Sequence, residues 1–179
     1  DTRYNHRDLG YFTNNNFLDH SLYMGYRWMT PRSFYNRMFL NFNAWHSKLL
    51  TPIPGITTTH QNMGFNVNTN MQTKKLWFVG GNINMNCNEN DFYEPRWAGW
   101  YLHRNPRIGM GLWVNSNGAK KYSFGAEVFG RTFFNFYGAR GINLSLSQNI
   151  RFNNKFSLRH SVEIDKMPNN MGYVWSQNA

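Results

Sequence analysis

The stretch that decides the fold reads His60-Gln-Asn-Met-Gly-Phe-Asn-Val-Asn-Thr-Asn-Met71, Gln72-Thr-Lys-Lys75, Leu76-Trp-Phe-Val-Gly-Gly-Asn-Ile-Asn-Met-Asn-Cys87. In its first part Met63, Phe65, Val67 and Met71 alternate with Asn62, Gly64, Asn66, Asn68 and Asn70. In its last part Trp77, Val79, Ile83, Met85 and Cys87 fall on one side, and Phe78, Gly80, Asn82, Asn84 and Asn86 on the other. A strand sends successive side chains to opposite faces, whereas a helix would mix the two sets. The spacing therefore predicts two long strands joined at the polar turn Gln72–Lys75.

The same pattern extends outward. Leu22, Met24, Tyr26 and Trp28 alternate with Tyr23, Gly25 and Arg27. Beyond a turn at Thr30-Pro-Arg-Ser33, Met38, Leu40, Phe42 and Ala44 alternate with Arg37, Phe39, Asn41 and Asn43. Ile108, Met110, Leu112 and Val114 oppose Arg107, Gly109, Gly111 and Asn115. The Asn117-Gly118 pair then marks a hairpin turn, after which Tyr122, Phe124, Ala126 and Val128 oppose Ser123, Gly125, Glu127 and Phe129. A last hairpin joins Ile142, Leu144, Leu146 and Ile150 to Leu158, Val162 and Ile164 through Asn153–Lys155. The fold class expected is all-β, an antiparallel meander of about eight long strands. Residues 1–179 are expected to be a single segment of a larger β-barrel domain, with no internal boundary.

Composition narrows the class. The chain has 179 residues, 19 Lys+Arg against 9 Asp+Glu, a net charge of +10, 16% charged residues and 18% aromatics; its mean hydropathy is −0.65. Disordered chains have few aromatics, no run of about 18 apolar residues marks a membrane helix, and coiled-coil composition is missing. The lone Cys87 excludes an intrachain disulfide and a cysteine-based zinc site.

Short turns near 30–33, 72–75, 116–120 and 153–155 carry Lys or Arg, while the connections near 46–59, 88–105 and 131–141 read as long loops. Outer-membrane barrels show this asymmetry, with strands alternating apolar-out and polar-in and an apolar band bordered by aromatic girdles. Runs of about ten residues suit the ~9–11 that cross a bilayer. Girdle candidates are Tyr26, Trp28, Tyr35, Trp45, Trp77, Trp113 and Tyr122. The expectation is a segment of a transmembrane β-barrel in the bacterial outer membrane. Met63, Phe65, Val67, Val79, Ile83, Met110, Leu112, Phe124 and Leu144 would face lipid, and Asn66, Asn68, Asn82 and Asn84 would face the lumen.

Four pieces, Asp8-Leu-Gly-Tyr-Phe-Thr-Asn-Asn-Asn16, Tyr26-Arg-Trp-Met-Thr-Pro-Arg32, Asn41-Phe-Asn-Ala-Trp45 and Phe92-Tyr-Glu-Pro-Arg96, resemble a known region. It is the C-terminal barrel region, a domain of unknown function, of large bacterial outer-membrane proteins that begin with a family-9-like carbohydrate-binding domain. The resemblance spans essentially the whole chain. It implies a longer barrel of which this is an internal segment, and it implies no activity or catalytic residues. The start at Asp1 and a last strand-like run, Met171–Trp175, agree with an excerpt or a processed chain.

No catalytic signature and no phosphate-binding loop occurs, so no enzyme activity and no cofactor are expected. The six histidines have no i, i+4 metal pair. Glu89, Asp91 and Glu94 match no calcium loop and read more simply as partners for Arg96, so no metal is expected. The aromatic loop 88–105 offers Tyr93, Arg96, Trp97, Trp100 and Tyr101 as ligand-binding residues. Its plainer reading is a lid folded on itself. Arg27, Arg37, Arg107, Arg131, Arg151 and Arg159, with Glu127 and Glu163 as counter-charges, would line the lumen and favour anions in an open pore. Basic residues are dispersed and no RNA- or DNA-binding motif appears, so nucleic acid is not an expected partner. Partners expected are outer-membrane lipid and a glycan or another envelope protein. The function expected is a pore or scaffold serving glycan capture or secretion; the alternative is a soluble, carbohydrate-binding β-sandwich.

Overall fold

The computed structural model describes residues 16–93, 99–134 and 139–168. They contain ten strands and no helix: β1 (Phe17–Trp28), β2 (Tyr35–Leu49), β3 (His60–Thr73), β4 (Phe78–Asn86), β5 (Glu89–Asp91), β6 (Leu102–Arg104), β7 (Arg107–Asn115), β8 (Tyr122–Phe133), β9 (Arg140–Arg151) and β10 (Ser157–Lys166). Eight form one sheet in the order β1-β2-β3-β4-β7-β8-β9-β10, every neighbour antiparallel, and β5-β6 form a separate two-stranded ribbon. Among the described residues β1 and β10 are the edge strands, with no further strand paired to them, and the sheet is not closed.

Register carries the alternation from strand to strand. One row runs Met24–Phe42–Val67–Ile83–Met110–Gly130–Ile142–Lys166, apolar up to its last member at the end of β10, and the next Tyr26–Leu40–Thr69–Gly81–Leu112–Val128–Leu144–Ile164. Between them on the opposite face runs Gly25–Asn41–Asn68–Asn82–Gly111–Phe129–Asn143–Asp165. Facing residues of an antiparallel pair share a face, so all eight strands present one apolar face and one polar face. The apolar face is open: Met110 and Leu112 are 54% and 59% exposed. Apart from β5 against β3, no strand packs on the sheet among the described residues. Buried hydrophobic residues there are Tyr35, Leu49, Phe92 and Ala139, in loops and at strand ends, not between layers.

Several local expectations need correction. Gln72 and Thr73 belong to β3, and the turn lies at 74–77. Leu76 adopts a left-handed φ of 62° there, while Thr73 N–H donates to Trp77 O at 2.8 Å. The polarity of Gln72 gave no hint that it pairs in the ladder. Strands β8 and β9 reach Phe133 and Arg140, so their connection is no longer than the turn at 29–34. The long-loop side is thus long only at 50–59 and 87–106. The 88–105 loop carries the β5-β6 ribbon.

The girdle also changes. Trp45 and Trp113 lie on the polar face, directly opposite Gly64 and Gly80. A Cβ added at either glycine would collide with the facing indole. These rings cover backbone that has no side chain, the device called aromatic rescue. Tyr35 is buried beside a bulge between Tyr35 and Arg37. Tyr26, Trp28, Trp77 and Tyr122 remain on the apolar side near the short-turn edge.

Candidate functional site on the polar face

Asparagine is a poor strand former because its amide competes for backbone partners. Here the register stacks asparagines from neighbouring strands, so the amides satisfy one another. Tyr23 Oη donates to Asn41 Oδ1 (2.9 Å), Asn41 Nδ2 to Asn68 Oδ1 (2.9 Å), Asn68 Nδ2 to Asn66 Oδ1 (2.5 Å) and Asn66 Nδ2 to Asn84 Oδ1 (2.5 Å). Asn43 Nδ2 also donates to Asn66 Oδ1, at 3.2 Å. The relay crosses four strands. Asn82 Oδ1 is buried beside it without a partner.

At the long-loop end the ribbon folds against β3. Asn90, buried, donates from Nδ2 to His60 O (3.0 Å) and accepts at Oδ1 from His103 Nδ1 (2.8 Å). Gln61 Nε2 donates to Tyr93 Oη at 3.0 Å. Ser47 Oγ touches both Gln61 Oε1 (2.9 Å) and the Asp19 carboxylate, and its one proton serves one acceptor at a time. Arg104 pairs with Asp91 (3.1 Å) and Glu89 (3.8 Å), and Arg107 with Glu89 (3.6 Å). Half-buried pairs of this kind fix geometry more than they add stability.

A third feature is an open cleft of about 290 Å³ on β8–β10, with Phe129 as its apolar wall and Glu127, Arg131, Asn143 and Asp165 as its polar groups. Asn143 Nδ2 donates to Glu163 Oε1 at 2.8 Å. Glu127, Ser145 and Glu163 share one row.

The structure places all eight expected lumen charges on the polar face, at separate levels. Arg27, Arg37, Arg151 and Arg159 lie toward the short turns, Glu127 and Glu163 in mid-strand, and Arg107 and Arg131 toward the other end. Of the five expected loop residues the structure describes Tyr93, Trp100 and Tyr101. Tyr93 joins the Gln61 network, Trp100 is 69% exposed, Tyr101 packs on buried Phe92 with centroids 5.1 Å apart, and Glu94, Arg96 and Trp97 lie outside the described residues. Arg104 and Arg107 pair with Glu89 and Asp91 of this loop, and the expected pairing of Arg96 falls outside the described residues. Met171–Trp175 lies outside the described residues too.

Three groupings were not anticipated. Asp165 joins the polar row, and Asp19 the Ser47 network. The rings of His20, His46 and His60 stack across β1–β3, with centroids 6.0 and 5.5 Å apart and planes 14° apart. A search for i, i+4 pairs misses the stack because register creates it. Within the stack His60 Nδ1 approaches His46 Nε2 to 3.4 Å, and no metal-binding group of three or more His, Cys, Asp or Glu occurs among the described residues.

The family model for a domain of unknown function, DUF5916, matches residues 1–179, and the chain belongs to that family. No curated protein and no solved structure matches it.

Proposed function

We propose that this DUF5916 chain is a wall of a bacterial outer-membrane β-barrel, acting as pore lining or scaffold and serving glycan capture or secretion. One observation carries the reading. The apolar face runs in register across eight strands and is covered by no other element among the described residues, while the opposite face is a hydrogen-bonded polar surface. In water an apolar sheet face is buried against a second layer. A β-sandwich would supply that layer, so the soluble alternative is the weaker reading. Hydrocarbon is the other environment that suits such a face, and it demands that every backbone group be paired, as in a closed barrel. The reading accordingly requires further strands beyond β1 and β10. Sheet strands of 9 to 15 residues are long enough to span a bilayer.

Fractionation of bacteria producing the full-length protein tests this. Retention in the outer-membrane pellet through a urea and carbonate wash, with solubility only in detergent, is the expected result. Release as a soluble species would remove the barrel reading and restore the sandwich.

A further inference from the structure

The four hairpin turns lie on one edge of the sheet, at 29–34, 74–77, 116–121 and 152–156. They are physically joined. Lys74 N–H donates to Phe34 O (3.2 Å), Arg151 N–H to Lys121 O (2.7 Å), and Trp77 packs edge-on against Phe124 at 5.5 Å. This rim carries Arg32, Lys74, Lys75, Lys120, Lys121 and Lys155, all exposed, which includes five of the seven lysines of the chain. The described carboxylates, Asp19, Glu89, Asp91, Glu127, Glu163 and Asp165, all lie in mid-strand or toward the other end. The rim is therefore a continuous cationic border with no counter-charge of its own among the described residues. The opposite end is different, because there Arg104 and Arg107 are matched by Glu89 and Asp91.

The cations adjoin exposed aromatics. Tyr26 (62% exposed) packs edge-on against Trp28, Phe34 stands beside Tyr35, and Phe152 stacks on Phe156. Apolar rows, then aromatics, then lysines is the order in which a bilayer presents hydrocarbon, interface and charged headgroup. Lysine suits the outermost level, since its stem covers apolar surface while its ammonium reaches the phosphates. We infer that the short-turn rim is a docking surface for the headgroups of anionic phospholipids in the adjoining leaflet. The inference rests on the barrel reading and adds lipid selectivity on one side of it.

The test uses the full-length protein reconstituted in vesicles of phosphatidylcholine, with or without phosphatidylglycerol, and native mass spectrometry of the lipids it retains. Each lysine at an anionic surface favours binding roughly fivefold. Phosphatidylglycerol should be retained at least about tenfold over phosphatidylcholine at low salt, with the preference shrinking as salt screens it. K74Q/K75Q/K120Q/K121Q should insert equally well and lose most of that preference, whereas the long-loop variant K48Q/K166Q should keep it. Insertion without any lipid preference, or a preference the four-lysine variant retains, would overturn the inference and leave the barrel reading intact. Failure to enter neutral vesicles at all would remove the barrel reading, and the inference with it.

Discussion

The indole of Trp113 on β7 lies across Gly80, its direct partner on β4, and fills the space where a Cβ would stand. Gly64 and Trp45 repeat the arrangement between β3 and β2. Gly80→Ala should therefore displace a large ring held between strands and cost about 1–3 kcal/mol, as overpacking does. Gly118→Ala, with open space around it, should stay within about 0.5 kcal/mol. Denaturant unfolding in detergent, followed by tryptophan fluorescence, compares the two. Equal costs would mean that the ring does not occupy that space.

Asn66 sits at the centre of the amide relay, accepting from Asn43 and Asn68 and donating to Asn84. Asn66→Ala leaves donors without acceptors, at about 1–3 kcal/mol. A double-mutant cycle between Asn66 and Asn84 should show coupling of roughly 0.5 kcal/mol or more. Additive effects would dissolve the relay into independent, water-bonded amides.

At the loop end, Trp100 is exposed while Glu89 bridges Arg104 and Arg107. Trp100→Ala should leave stability within about 0.5 kcal/mol. Glu89→Ala should cost no more than about 1 kcal/mol overall yet raise amide hydrogen exchange in β5 and β6. Unchanged exchange in the ribbon would show that Asn90 and Gln61 alone hold it against β3.

Much of the fold was legible because period two is a local signal. Val67 and Asn68 declare opposite faces whatever their partners are, and Asn117-Gly118 declares a turn. What local pattern does not encode is which residues face each other across strands. Trp45 and Trp113 read as girdle residues until register set them over Gly64 and Gly80. His20, His46 and His60 are far apart in the chain and adjacent only through β1–β3 pairing. The β5-β6 ribbon is too short for periodicity to reveal, and Gln72 looked like a turn residue because its polarity outweighed its place in the alternation. The charges of the polar face were legible individually, whereas their separation into levels depended on strand ends that shifted by a few residues.

The most direct measurement of the central claim is an arginine substitution on each face of the full-length protein folded in a bilayer. Leu112→Arg and Val67→Arg place a guanidinium on the apolar face and should each cost roughly 2–4 kcal/mol if lipid covers it at mid-depth. Ser145→Arg lies on the polar face between Glu127 and Glu163 and should cost less than about 1 kcal/mol, because water and two carboxylates receive the charge. A large penalty on the apolar face beside near-neutrality on the polar face is the result the barrel reading predicts. Equal tolerance on both faces, or a larger penalty at Ser145, would contradict it.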